Sequence, residues 1–335
     1  MSLHPAVTVF SPAKINLFLA VTGRRTDGFH DLVSVAAPVE FGDELVAELV
    51  TENPPAHKAT ARQAEDREQK TEDREQRTEE GGQFTLECDA PGVPADGSNL
   101  VLQAAQSYAA ATGWTGRVHF RLTKRIPPGA GLGGGSSNAV AALRALERLT
   151  GGRAGPTRLA ELAAGLGSDC ALFLPGTPVV MRGRGERVEP LAAPAAERLH
   201  GQRVLIFKPG FGVGTPWAYG RMAARGTDYL PAARAEERLD AWVQGPAPVA
   251  ELLINNMEPA VFAKHVALPA LLGRLRTEFG VATGMSGSGS ACFALLGDRA
   301  AAPLAAAVRA AWGPPAFLQE TRLAPAPAGP ACTSS

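Results

Sequence analysis

The sequence predicts a two-lobed α+β protein with a cleft between its lobes. Strand-period and helix-period apolar patterns alternate along a chain of 335 residues, and the texture changes near residue 175. Two glycine clusters, 127–139 and 284–290, fall one on each side of that change. The length suffices for two domains, each with its own core. The expected division is 1–175, 176–323 and a Pro/Ala-rich tail, 324–335, without structure.

Val7–Val21 reads as the first strand, with Ile15, Leu17, Leu19 and Val21 on one face and Lys14, Asn16 and Phe18 on the other. Leu45–Val50 and Phe84–Cys88 read as two further strands. Between them, 51–83 holds a near-exact tandem repeat, Ala-Glu-Asp-Arg-Glu-Gln-Lys at 64–70 and Thr-Glu-Asp-Arg-Glu-Gln-Arg at 71–77. With almost no apolar residue, this stretch cannot offset its ordering entropy by burial, and a solvated insertion is expected. Asn99–Ala111 predicts a helix and Gly116–Thr123 a strand. A helix follows the first glycine run, with Val140, Leu143, Leu146 and Leu149 on one side. Thr157–Leu166 predicts another, ending just before Ser168-Asp169-Cys170. Beyond Pro175 come strands at Val179–Met181 and Val204–Phe207, then a helix at Ala267–Phe279 with Leu268, Leu271, Leu272 and Leu275 in helical spacing. The second glycine cluster and an apolar strand, Ala291–Leu296, close the pattern.

Composition excludes several classes. Thirty-three basic and 33 acidic residues leave no net charge, which argues against a nucleic-acid partner. Cys88, Cys170, Cys292 and Cys332 form no Cys-x-x-Cys pair, so neither a zinc site nor a disulfide framework is expected, and a reducing cytoplasm fits. Lys14 and Asn16 interrupt the first apolar stretch, and no run approaches the ~20 residues of a membrane span. A cytoplasmic protein with small-molecule ligands is the expectation.

The run Pro127-Pro-Gly-Ala-Gly-Leu-Gly-Gly-Gly-Ser-Ser-Asn-Ala139 leads directly into a helix. Backbone amides free of Cβ obstruction, together with the positive end of a helix dipole, favour a phosphate. A dinucleotide fold would require an acid about twenty residues on, and 150–156 contains none. A Walker loop would require Gly-Lys-[Ser/Thr], and no lysine follows these glycines.

Five ordered segments instead resemble the GHMP kinase superfamily: Ser11-Pro-Ala-Lys-Ile-Asn-Leu-Phe-Leu19, Arg25-Thr-Asp-Gly-Phe-His30, Gly131-Leu-Gly-Gly-Gly-Ser-Ser-Asn-Ala139, Leu166-Gly-Ser-Asp169 and Met285-Ser-Gly-Ser-Gly289. The resemblance spans about residues 6–297 and is closest to the branch that phosphorylates a cytidyl-diphosphate sugar alcohol. It implies an N-terminal lobe like ribosomal protein S5 domain 2, a ferredoxin-like C-terminal lobe, and an active site in the cleft between them. It also implies ATP as phosphoryl donor, with magnesium, and a cytidyl-diphosphate sugar alcohol as acceptor.

By that resemblance Asp169 is the catalytic base, although an aspartate in such a turn also suits a helix cap. Lys14 stands beside it, where an ammonium would complement the carboxylate and orient the acceptor hydroxyl. Asn16 contacts substrate. The ATP site takes Pro128, Gly129, Ala130, Gly131, Leu132, Gly133, Gly134, Gly135, Ser136, Ser137 and Asn138, the last three supplying side-chain donors or magnesium contacts. Asn99, Leu100 and Lys124 match adenine-side positions, and each also suits a cap, core or surface role. Phe29 and His30 suit a cytosine, one by stacking and the other by hydrogen bonding. The usual family member has Tyr where this chain has Phe29, so a phenolic hydrogen bond is lost and stacking kept. Thr215 and Tyr219 belong to a second aromatic segment, with Tyr219 as the opposite face of the cytosine. Gly287, Ser288 and Gly289 approach the acceptor from the second lobe, or form a strand-entry turn. Asn255-Asn256-Met257-Glu258 matches a further segment with a structural role. A homoserine- or mevalonate-type kinase and a non-catalytic nucleotide-binding relative are the alternatives; Phe29-His30 speaks against the first, and Lys14 with Asp169 against the second.

Overall fold

The computed structural model describes residues 5–50 and 82–323. The charged repeat at 64–77, with the rest of 51–81, and the tail from 324 lie outside the described residues. Strands β1 (Ala6–Arg24), β2 (His30–Val50) and β3 (Phe84–Cys88) are followed by α1 (Leu100–Thr112), β4 (Arg117–Thr123), α2 (Gly134–Leu149) and α3 (Gly155–Leu166). Then come β5 (Val179–Gly183), β6 (Arg187–Pro190), α4 (Ala193–Leu199), β7 (Arg203–Lys208), α5 (Thr215–Arg225), α6 (Ala232–Gln244) and α7 (Val249–Leu252). The remainder is β8 (Ile254–Asn255), α8 (Glu258–Phe262), α9 (Ala267–Phe279), β9 (Thr283–Met285), β10 (Cys292–Leu295), α10 (Ala301–Trp312) and β11 (Phe317–Arg322). None of the described helices is long and apolar enough to cross a membrane.

The described strands form two sheets, giving the expected mixed α+β architecture. One has seven strands, ordered β3-β4-β2-β1-β8, with β5 on β2 and β6 on β5; the other is β11-β7-β10-β9. The first sheet runs past residue 175. Strand β2 is long enough to pair Glu44–Val50 with β4 and Leu32–Ala36 with β5, so 179–190 joins the N-terminal sheet. Sequence reasoning caught only the Leu45–Val50 end of β2, which also runs through Pro38 and Gly42. The chain instead passes them at an irregularity where Pro12 pairs with Gly42 and Lys14 with Pro38.

The single-face pattern expected for β1 does not hold. Asn16 pairs with Ala36 and Phe18 with Val35, which leaves Leu17 as an extra residue in a bulge. One inserted residue swaps the two faces. Ile15, Leu17, Phe18 and Ala20 therefore pack with Val33, Val35, Ile206 and Phe293, whereas Leu19 and Val21 pack with Leu45, Phe120 and Leu143.

Helix α2 is tied to the strands beneath it by a buried polar cluster. Ser11 donates to Ser137 Oγ (2.8 Å) and accepts from Asn138 Nδ2 (2.8 Å). Asp43, with no exposed surface, accepts from the Arg125 and Ile126 amides at 2.7 and 2.8 Å. Its other oxygen accepts from Asn138 Nδ2 at 2.9 Å and from Lys124 Nζ. Lys124 Nζ also donates to Asn138 Oδ1 at 3.1 Å. All four donors to Asp43 are lost or weakened together if its charge is removed, leaving the Lys124 ammonium buried without a counter-charge. Asp43→Asn is therefore expected to lower unfolding free energy by about 3 kcal/mol or more in urea titration; an unchanged midpoint would show that the pair is dispensable.

Candidate active site

The bulged middle of β1 carries Lys14 and Asn16 into a cleft of about 1230 Å³ between the two sheets. The Lys14 side chain is only 4% exposed, and a charge so placed requires polar partners. Its Nζ donates to Asn16 Oδ1 at 2.6 Å and lies 3.4 Å from Asp169 Oδ2. Asn16 in turn donates to Ser34 Oγ at 2.9 Å, and Ser34 donates to the Phe18 carbonyl at 2.6 Å. Both ends of the Asn16 amide are thus committed to orienting the lysine.

Asp169 occupies the short turn between α3 and a 3-10 turn, Ala171–Phe173. Cys170, not Asp169, is the residue before that 3-10 turn, and no side chain caps it. The Asp169 carboxylate is 41% exposed and faces the cleft. Beside it, burial pushes the Cys170 thiol up to about 11, so this cysteine stays a neutral, packed group.

The glycine loop is fastened on both sides. Lys14 N donates to the Leu132 carbonyl at 2.9 Å, Ser286 Oγ to the Gly131 carbonyl at 2.9 Å, and Ala291 N to the Ala130 carbonyl at 3.0 Å. A Cβ on Gly131, whose φ is +78°, would stand 2.3 Å from the Ser286 carbonyl oxygen, so only glycine permits this approach. The loop ends at α2, whose N-terminus has no side-chain cap. The first-turn amides at Gly134, Gly135 and Ser136 therefore have no acceptor within the helix, a favourable setting for an anion.

From β8, beside β1, Asn255 Nδ2 donates across to the Met285 and Gly287 carbonyls, each at 2.8 Å, and the Met285 amide donates to Glu258 at 3.0 Å. Burial holds the Glu258 carboxyl above its ordinary range. Asn256 grips β1 at the same time, accepting from the Val21 amide at 2.8 Å. Ser288, so positioned, lies 2.9 Å from Thr215 Oγ1.

At the far end, the β1–β2 turn is locked by Phe29 N donating to Asp27 Oδ1 (3.1 Å) and Arg25 N to the Phe29 carbonyl (2.8 Å). It presents the Phe29 ring 51% exposed. His30 packs on Tyr219, ring centroids 4.9 Å apart, and its Nε2 lies 3.1 Å from Tyr229 Oη. Burial, then the nearby Arg24 charge, holds the His30 imidazole below its usual value. Burial, then Asp169, raises the Tyr219 phenol, which stays protonated.

The cleft brings together Lys14, Asn16, Phe29, His30, Asn99, Leu100, Lys124, residues 128–136, Asn138, Asp169, Thr215, Tyr219, Gly287 and Ser288. Ser137 and Gly289 are not among its walls. The Ser137 and Asn138 side chains hydrogen-bond within the cluster of Ser11 and Asp43. Lys124 is likewise spent on Asp43. Asn99 is the N-cap of α1, accepting from the Val101 amide at 2.9 Å and donating to the Pro94 carbonyl at 2.6 Å. Sequence reasoning missed Ser34, Asp43, Arg184 and Tyr229, which belong to no recognisable local pattern, and gave Ser286 no role although it lies in the Met285–Gly289 segment.

Comparison with known proteins agrees with this architecture. Residues 99–177 match the family described as GHMP kinases N terminal domain, and residues 246–314 match GHMP kinases C terminal. A 4-diphosphocytidyl-2-C-methyl-D-erythritol kinase from Methylacidiphilum infernorum is 34% identical over 299 residues, covering 88% of each chain. One from Thermus thermophilus is 35% identical, covering 90% of this chain and 92% of the relative. A solved 4-(cytidine 5'-diphospho)-2C-methyl-D-erythritol kinase matches with a TM-score of 0.69 and 34% identity, covering 94% of this chain and 99% of that one. A homoserine kinase from Cytophaga hutchinsonii reaches a TM-score of 0.67 at 18% identity, a likeness of fold alone. A bulged strand, a glycine loop on a helix and a cross-lobe clasp thus coincide with relatives aligned over about nine-tenths of the sequence, and the chain belongs to the 4-diphosphocytidyl-2-C-methyl-D-erythritol kinase family of GHMP kinases.

Proposed function

We propose that this protein transfers the γ-phosphoryl group of ATP to the 2-hydroxyl of 4-diphosphocytidyl-2-C-methyl-D-erythritol, a step in the non-mevalonate (MEP) route to isoprenoid and terpenoid precursors. The observation that carries the reading is the Lys14–Asp169 contact of 3.4 Å, in the same cleft as an uncapped helix N-terminus and the Phe29–His30–Tyr219 wall.

In the proposed reaction the Asp169 carboxylate accepts the proton of the 2-hydroxyl as its oxygen attacks the γ-phosphorus. The bond from that phosphorus to the β,γ-bridging oxygen breaks, and ADP leaves. Lys14 holds Asp169 and the attacking oxygen in register, and backbone amides from Gly131 to Ser136 receive the phosphates. Catalysis here is positioning together with stabilisation of spreading negative charge.

Magnesium suits the oxygen donors present. Among the described residues no three His, Cys, Asp or Glu side chains cluster as a metal cage. The Ser136 hydroxyl and the Asp169 carboxylate are the cleft-facing groups that would hold the ion, alongside phosphates and water. When bound, magnesium neutralises charge on the phosphates.

At the acceptor end Phe29 and Tyr219 supply ring faces, and His30 supplies a ring nitrogen for the cytosine edge. ATP is held by elements that none of these three residues touches.

ADP release, followed by a coupled assay, is expected with the cytidyl acceptor and not with homoserine or mevalonate; release with either of those in its place would overturn the reading. Phe29→Ala and His30→Ala are each expected to raise KM for the cytidyl acceptor about tenfold, with KM for ATP within about twofold of wild type. Equal losses for both substrates would remove these residues from the acceptor site.

A further inference from the structure

Arg184 is a cleft-lining cation that the proposed reaction leaves unused. It sits at the β5–β6 turn, where its amide donates to Glu186 Oε2 at 2.6 Å and Gly185 N donates to the Arg182 carbonyl at 3.1 Å. Gly185, at φ +108°, packs this turn against Ser168: a Cβ there would stand 3.2 Å from the Ser168 carbonyl oxygen. On its other side the Arg184 guanidinium lies over the Phe29 ring, 4.9 Å from the centroid. The turn that carries Arg184 therefore touches both the exposed aromatic ring, through the guanidinium, and the residue that precedes Asp169, through Gly185.

The cations lining the cleft differ in what they are free to do. Lys14 is engaged by Asn16 and Asp169, and Lys124 by Asp43 and Asn138. Among the described residues no carboxylate lies within ion-pair distance of the Arg184 guanidinium. Asp27, whose carboxyl feels the Arg184 charge, is itself bound by Arg25 at 3.0 Å and by the Phe29 amide. Arg24 adds positive field at this end, from an exposed strand terminus without a ring beneath it. A planar guanidinium resting on an aromatic face keeps its edge N–H groups directed outward, a geometry suited to paired phosphate oxygens.

We infer that Arg184 reads the diphosphate bridge of the acceptor, an ester of a nucleoside diphosphate, from its perch on Phe29. The inference rests on the acceptor reading above. In such a molecule the diphosphate runs between the base and the reacting hydroxyl, and the β5–β6 turn that carries Arg184 borders both the proposed base-stacking ring and the turn bearing Asp169. The consequence is specificity: the site distinguishes a cytidine diphosphate ester from a monophosphate through one side chain, not through the cytosine contacts.

The test is calorimetric titration of the full chain with cytidine, CMP and CDP, for wild type, Arg184→Ala, Arg184→Lys and Phe29→Ala. Wild type is expected to bind CDP more tightly than CMP. Arg184→Ala is expected to shrink that preference about tenfold, leaving the affinities for cytidine and ATP unchanged. Arg184→Lys should recover only part, because an ammonium cannot bind two oxygens in a plane. Phe29→Ala should weaken all three ligands and, with the perch removed, also narrow the CDP-to-CMP preference. A CDP-to-CMP preference that survives in Arg184→Ala overturns the inference while the acceptor reading stands. A wild-type protein that binds none of the three and releases no ADP with the cytidyl acceptor overturns both. Retained ATP affinity and an unchanged thermal midpoint certify that each variant is folded.

Discussion

A buried ammonium must be neutralised or hydrogen-bonded, and the demand made by Lys14 organises the centre of this molecule. Asn16 supplies one oxygen at 2.6 Å, and Asp169 supplies the counter-charge at 3.4 Å. Asn16 can do so only because Ser34 holds its other end, and the bulge at Leu17 lets residues beyond Asn16 change faces to fill two different cores. The amide of Lys14 meanwhile fixes the Leu132 carbonyl, so the same residue that carries the charge also anchors the glycine loop. Strand, loop and carboxylate are therefore placed by one residue.

A second polar cluster does complementary work on the far side of the loop. Asp43, Lys124, Asn138, Ser11 and Ser137 bind α2 to β1 and β2, and no side chain caps the helix N-terminus. The first-turn amides remain open because the N-cap residue, Gly133, has no side chain to cap them. Asn255, beside β1, and Glu258 hold the 284–290 segment, and Ser286 closes the seam on Gly131. In the proposed reaction these three fastenings bring donor phosphates, base and acceptor together before any substrate arrives, which lowers the entropic cost of their encounter.

Much of this was legible in the sequence where local patterns decide. Helix α9 runs over the bounds its leucine spacing predicts, and α2 follows the glycine run as the apolar period requires. The family resemblance brought Lys14 and Asp169 together, which neither residue's surroundings in the chain could have done. Legibility failed where partners are distant. The bulge at Leu17 depends on registry with Ala36 and Val35, and nothing local marks it. Ser137 and Asn138 sit in a ligand-like motif, and nothing local marks their hydrogen bonds to Ser11 and Asp43. Nothing in the sequence around Arg184 marks its contact with Phe29, which is 155 positions away.

The central claim is that Asp169, held by Lys14, takes the acceptor proton in a site whose ATP half is built separately. Rapid-quench measurement of ADP formed in one turnover by Asp169→Asn, with ATP binding titrated on the same sample, tests it most directly. The account predicts a rate at least about 100-fold below wild type, with ATP affinity within about twofold. A near-wild-type burst from Asp169→Asn, with both substrates bound, would contradict it.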